Sequence, residues 1–245
     1  MSRRVIATLD TETTGLPDDE TARAYEIGVA VWDVDKDELL WGDSMLFRPD
    51  LLTQEGLELA QEISGIDPLL ILGAPIAEEA LRWWEKKVLV KVASLGASTF
   101  GAWNLTFDRA MVRRSLYGLL DPVEAWSSDE PWVEYENPGD PTPWGTCWMI
   151  AFSDLFVNSL GTRLTSEPGK VVPRFASLSY ASKRIGLPPV EQTTQHRALP
   201  DAIRCAQIGA AILRGDVQGQ PDKPVGKISL SSVRSKYAKT EPASE

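Results

Sequence analysis

The chain is poor in the residues that build zinc sites and disulfide-bonded scaffolds: one histidine, His196, and two cysteines, Cys147 and Cys205, in 245 residues. Two cysteines are too few for a disulfide framework, their spacing matches no zinc site, and each stands among apolar residues where a reduced, buried thiol is expected. Long hydrophobic runs are also missing. The start, MSRRVIATLD, has no apolar stretch long enough for a signal peptide, and nowhere do about 18 apolar residues follow one another. A soluble, intracellular, cytoplasmic protein with no membrane association is therefore expected. Positive charge is scarce too: 25 Lys and Arg stand against 35 Asp and Glu, a formal net charge of -10. That balance excludes a protein that coats duplex DNA through a broad basic face. It leaves open an acidic protein whose bound metal ions supply the positive charge in one pocket.

What is present is a globular composition, 43% hydrophobic, spread from the start to Arg214. From Gly215 to Glu245 periodic apolar residues give way to Gly, Pro, Ser and charge, so the expectation is one domain over 1–214 and a flexible basic tail over 215–245. Lys223, Lys227, Arg234, Lys236 and Lys239 make that tail a positive arm. Within the domain, Arg4 to Leu9, Glu26 to Val34 and Glu38 to Arg48 read as strands, the last two joined by a turn at Asp35-Lys36-Asp37. Ser98 to Ala102 reads as a fourth, short strand. Apolar steps of three and four predict helices over 53–63, 75–92, 106–119, 144–157, 175–185 and 199–214. In the third of these Phe107, Ala110, Met111 and Leu116 are expected to face inward and Arg109 and Arg113 outward. Strands first, then a strand among helices, imply an α/β domain with a mixed sheet flanked by helices. Asp121 to Pro143 interrupts this pattern with seven acidic residues, five prolines and no Lys or Arg, an acidic insertion long for a simple connection.

Three short groups could carry chemistry. Asp10 and Glu12 stand two apart at the end of the first strand, so both point to one side. Paired carboxylates on a rigid strand are hard oxygen ligands of the kind that Mg²⁺ or Mn²⁺ requires. Asp18 and Glu20 repeat that spacing in a loop, and any one such pair also reads as a solvated surface pair. Asn104 is placed as an N-cap with Asp108 in the turns that follow, where a negative charge is favourable at a helix start. His196 precedes a helix whose first turn holds Pro200 and Asp201.

Taken in order, a strand-end DxE, then NxxFD, then HxAxxD, the chain resembles the DEDDh subgroup of the DnaQ-like 3′-5′ exonucleases over about Arg4 to Arg214. Supporting matches are EIG at Glu26 to Gly28, SGI at Ser64 to Ile66, AlaSerLeu at Ala176 to Leu178 and GlyLeuPro at Gly186 to Pro188. The chain departs from many relatives at Trp103, where they have His before Asn, and at Gly145, where they often have Asp before Thr. The resemblance implies a ribonuclease H-like fold with a mixed five-stranded central sheet whose first three strands are antiparallel. It implies two divalent cations, Mg²⁺ or Mn²⁺, held by Asp10, Glu12, Asp108 and Asp201, with His196 as general base. It places Thr13, Leu16 and Asn104 against the terminal nucleotide. The implied activity is hydrolysis at the 3′ end of nucleic acid, single-stranded DNA favoured over RNA, releasing nucleoside 5′-monophosphates. Alternatives are an exoribonuclease, a catalytically silent module binding nucleic acid or a polymerase, and a phosphodiesterase or phosphatase for small substrates. Whether a polymerase or a second copy of the chain is a partner is left open by the sequence.

Overall fold

The computed structural model describes residues 3–120, 140–156, 160, 162–164, 171–188 and 197–217. His196, most of the acidic insertion and the tail from 218 onward lie outside them. Strands β1 (Val5–Thr13), β2 (Ala24–Asp33) and β3 (Glu38–Leu46) form an antiparallel meander. β4 (Phe100–Ala102) and β5 (Trp144–Cys147) add in parallel to β1, giving the order β3-β2-β1-β4-β5. The α/β class and the mixed five-stranded sheet match the sequence reading. β2 is buried along its whole length, which explains why it reads AYEIGVAVWD without alternation: a strand covered on both faces needs apolar residues on both.

Helices cover the two faces. On one lie α1 (Gln54–Ser64), α2 (Pro68–Leu72) and a helix that runs as α3 (Ala77–Trp83), a π-helical stretch (Trp84–Leu89) and α4 (Val90–Ser94), followed by α5 (Leu105–Tyr117). Trp84 is fully buried there, 5.2 Å from the ring of Phe100, and its indole N–H donates to Thr142 Oγ1 at 3.0 Å. After β5 come α6 (Trp148–Leu155), the hairpin β6 (Thr162–Leu164) and β7 (Val171–Pro173), α7 (Leu178–Arg184) and α8 (Ala198–Arg214). α8 lies on the other face, with Ala202, Ala206 and Ala210 against Ala30, Trp32 and Val34. Cys147 and Cys205 are both reduced and buried. No helix among the described residues is long and apolar enough to cross a membrane.

Two expected helix bounds are corrected. Residues 144–157 were expected to be one helix, but Trp144–Cys147 is the fifth strand and the helix begins at Trp148. The edge of β4 requires a partner, and the amide of Phe100 donates to the carbonyl of Pro143 at 2.8 Å, fixing the chain as extended where it enters β5. The helix expected over 175–185 starts at Leu178, because Ser177 caps it by accepting from the amide of Tyr180.

Arg113 was expected to face outward and is instead buried. Its guanidinium lies 3.3 Å from Asp140, with both side chains 3% exposed. Asp140 also accepts from the amide of Thr142 and the indole of Trp144, each at 2.9 Å. The last residues of the acidic insertion are thus fastened into the core. Asp140→Ala removes one side of this buried pair and leaves the Thr142 amide and the Trp144 indole without their acceptor, and is expected to destabilise the protein by about 1 to 3 kcal/mol. Lys87→Ala, which removes a half-exposed pair with Asp43, should cost less than about 1 kcal/mol. Denaturant unfolding of the two variants checks the contrast.

Candidate metal centre

The site forms where the end of β1 meets the start of α8. Asp10 pairs across the sheet with Gly28, and Glu12 pairs with Glu26. Gly28 is required by packing: a Cβ built there would stand 2.2 Å from the backbone of Ala198 and Leu199. Without a side chain at 28, the first turn of α8 lies directly on β2. Thr8 Oγ1 donates to the carbonyl of Ala202 at 2.8 Å and ties the same turn to β1. The result is that ligand atoms of Asp10, Glu12 and Asp201 all lie within 4.8 Å of one another. Two come from one strand by its period of two, and the third, Asp201, comes from a helix 189 residues beyond Glu12.

Asp108 reaches the same region from the first turn of α5, but its place is different. Its Oδ1 accepts from both the amide and the hydroxyl of Thr11, each at 3.0 Å. One carboxylate oxygen is therefore committed to the residue between Asp10 and Glu12. Asp108 is 3% exposed and Glu12 7%, while Asp10 and Asp201 are half-buried. Burial, then the charges of Asp108, Asp201, Glu12 and Glu26, hold the Asp10 carboxyl far above its ordinary value. Burial, then Asp201 and Glu26, push Glu12 up to about 8 against an offset from Arg197. Burial raises Asp108 to about 7 even though the bonds from Thr11 favour its ionised form. Hard oxygen donors that repel one another suit a divalent cation, which relieves the repulsion and needs no soft ligand.

A cavity of about 760 Å³ opens beside Glu12. The end of β1 supplies Thr13, the loop after it Leu16, α1 supplies Leu59 and Ile63, and α5 supplies Phe107. Leu16 is 53% exposed, so it is not a core residue of the loop. Thr13 Oγ1 is turned to the carbonyl of Gly15 at 2.9 Å. Asn104 stands exposed at the N-cap of α5, but its side chain makes no capping bond there, contrary to the sequence reading, and it is not among the residues lining the cavity. Asp18 and Glu20 stay in the exposed loop, apart from the three-carboxylate group.

Sequence reasoning missed two residues. Arg114, buried in α5, donates to the carbonyls of Asp19 at 2.6 Å and Pro17 at 2.9 Å and so holds the loop that carries Leu16. Arg197 grips the buried Glu26 through Nε at 2.7 Å and Nη2 at 2.9 Å. The departure at Trp103 also has a structural reason. Its ring packs near Phe152, and its N–H donates to the carbonyl of Ala176 at 3.0 Å, so it serves the core.

Strand order and helix placement give the ribonuclease H-like fold. No family model and no curated protein matches the sequence. Solved structures match by fold. The nuclease domain of 3'hExo, a DEDDh family member bound to rAMP, gives a TM-score of 0.56 at 16% identity, covering 91% of this chain and 98% of that one. A full-length 3'-exonuclease gives 0.55 at 15% identity, covering 90% of this chain and 64% of that chain. The cell-death related nuclease 4 gives 0.53 at 14% identity over 86% of this chain and 64% of that chain. This chain therefore spans less than two thirds of the length of the last two.

The raised carboxylates set a pH dependence. Glu12 and Asp108 ionise at about 8 and about 7 in the folded state against ordinary values of 4.5 and 3.8, so between those limits the folded chain binds more protons than the unfolded one. Stability then falls as pH rises. The metal-free protein should lose melting temperature from about pH 5 to about pH 9, and Mg²⁺ should restore more of it at the alkaline end, where the ligands are ionised. Thermal melts with EDTA or Mg²⁺ across that range test this. A stability that rises with pH in EDTA would contradict the placement of these groups.

Proposed function

We propose that this protein is a metal-dependent 3′-5′ exonuclease that hydrolyses the terminal phosphodiester bond of single-stranded DNA and releases nucleoside 5′-monophosphates. The observation that carries this reading is the convergence of Asp10, Glu12 and Asp201, with Asp108 tethered to Thr11, where Thr11 and Glu12 also line a cavity large enough for a nucleoside. Asp10, Glu12 and Asp201 would hold divalent cations, with Asp108 assisting from its place beside Thr11. Bound Mg²⁺ or Mn²⁺ supplies the positive charge that lowers the pKa of the attacking water and stabilises the leaving oxygen.

The rest of the chemistry belongs to the chain. Leu16, Ile63 and Phe107 give the terminal base an apolar surface, and the threonines of the β1 loop offer hydroxyls to the sugar. No Lys or Arg lines the cavity among the described residues, which suits an uncharged nucleoside end and not a phosphate. His196, two residues before α8 begins, accepts the proton of the attacking water. An exoribonuclease is the second reading, supported by the rAMP bound to the 3'hExo domain.

Digestion of matched 3′-labelled and 5′-labelled DNA and RNA oligonucleotides with Mg²⁺ tests polymer and direction together. Progressive loss from the 3′ end is expected, stopped by EDTA; no cleavage of either polymer defeats the proposal. Within this site His196→Ala should lower the single-turnover rate by about 10² to 10⁴-fold and leave metal affinity unchanged, because a general base is lost and no ligand is. Asp10→Ala should lose both. The chain has no second imidazole, so a His196→Ala enzyme with wild-type rates would disprove the role.

A further inference from the structure

Glu26 is a buried carboxylate, 1% exposed, directly across the sheet from Glu12. By position it could be a fifth ligand for a cation. Its two oxygens are already used, since Nε and Nη2 of Arg197 approach Oε2 and Oε1 at 2.7 and 2.9 Å. Among the described residues, the carboxylates that converge within 4.8 Å are Asp10, Glu12 and Asp201, without Glu26. We propose that Glu26 and Arg197 are a positioning clamp: Glu26 does not ligate metal but, through Arg197, holds the first turn of α8 so that Asp201 meets Asp10 and Glu12. This rests on the reading of those three residues as a metal site.

The path from the clamp to the ligand is short. Arg197 is the N-cap of α8, in extended conformation, and its own carbonyl accepts the amide hydrogen of Asp201 at 3.3 Å. No side chain caps this helix start, so the clamp acts beside the bond of Thr8 to the carbonyl of Ala202. A bidentate guanidinium–carboxylate fork fixes orientation as well as distance, which a single-point ammonium contact does not. The next two residues, Ala198 and Leu199, rest on Gly28, where a Cβ would stand at 2.2 Å. Glu26 and Gly28 point to the same face of β2, being two apart. One sets the angle of the turn and the other its height above the sheet. The clamp has an electrostatic share as well: the guanidinium of Arg197 partly offsets the negative charge around Glu12.

The test is Mn²⁺ binding by calorimetry to the full chain without nucleic acid, beside kcat and KM for a single-stranded oligonucleotide. Arg197→Lys keeps the charge and loses the fork; Arg197→Gln loses both; Glu26→Gln loses the charge of the acceptor. All three should weaken Mn²⁺ binding by about 10 to 100-fold, the usual effect of removing a residue that orients a ligand. In all three kcat should fall, and KM should change little, because the cavity is built by the β1 loop, α1 and α5. If Glu26 were itself a ligand, Arg197→Gln would free it and Mn²⁺ would bind as tightly as to the wild type or more tightly, which overturns the proposal. Unchanged Mn²⁺ affinity in Arg197→Lys and Glu26→Gln also overturns it, as does a wild-type chain that binds no Mn²⁺. Melting temperature and circular dichroism identify any variant that fails to fold, and Arg197→Lys is the mildest of the set. A wild type that binds Mn²⁺ but degrades no nucleic acid would end the exonuclease reading while leaving the clamp to be judged on affinity.

Discussion

The close approach of α8 to β2 at Gly28 is the constraint on which the rest of the site depends. A helix packed on a sheet through ordinary side chains lies too far away for a short aspartate in its first turn to reach a carboxylate on the strand beneath. Here the backbone of Ala198 and Leu199 occupies the space that a side chain at 28 would fill. Alanines at 202, 206 and 210 continue the low seat along the helix. Small residues at a spacing of four give the helix one flat face, and that face keeps its start down on the sheet. The same packing that makes this interface dense therefore also completes the carboxylate set.

That set is held together against its own charge. Asp10, Glu12, Asp108 and Asp201 gain nothing from one another in the absence of a cation: burial and neighbouring carboxylates raise Asp10 and Glu12, and burial raises Asp108. What opposes the repulsion is remote from the charges: the fully buried β2, the indole of Trp84 on Phe100, and the buried pair of Arg113 with Asp140. The surrounding groups also sort the acids by role. Thr11 takes one oxygen of Asp108, and Arg197 takes both oxygens of Glu26. Asp10, Glu12 and Asp201 are the acids whose ligand atoms converge. Stability in such a fold is spent at one end of the sheet and generated in the middle of it.

Much of this was legible in the sequence because it depends on local patterns. The period of two that aligns Asp10 with Glu12, the apolar runs of β1 to β3 and the Pro200 that marks the first turn of α8 are all short-range signals. β5 was not legible. Four residues, WGTC, run straight into a helix, and a helical pattern extended backward absorbs them; what makes them a strand is the unpaired edge of β4, which no local window contains. Arg113 and Arg114 were misread or missed for the same reason. Their spacing on α5 looks like a solvated face, yet their partners are Asp140 and the carbonyls of the loop after β1. The pairing of Glu26 with Arg197 spans 171 residues and left a trace only as two motifs, EIG and HRALPD, whose connection is spatial. His196 was named from the sequence and lies outside the described residues.

The loop after β1 shows how affinity and chemistry are divided in this protein. Its carbonyls at Pro17 and Asp19 are bound by a buried guanidinium, so the segment that carries Leu16 is held in place by α5, the helix that also carries Asp108. One helix thus supports a wall of the cavity and one of the acids. The cavity itself offers leucine, isoleucine, phenylalanine and threonine, with carboxylates at Glu12, Asp18, Asp19 and Glu55. A polyanion gains little from such a wall, and the formal charge of -10 repels it at longer range. Attraction in the proposed reaction must then come from apolar contact with one terminal nucleoside and from cations held at the carboxylates. In that reading both act only at the end of a strand, so the charge distribution that would weaken binding along a nucleic acid is the same one that would confine productive binding to its terminus.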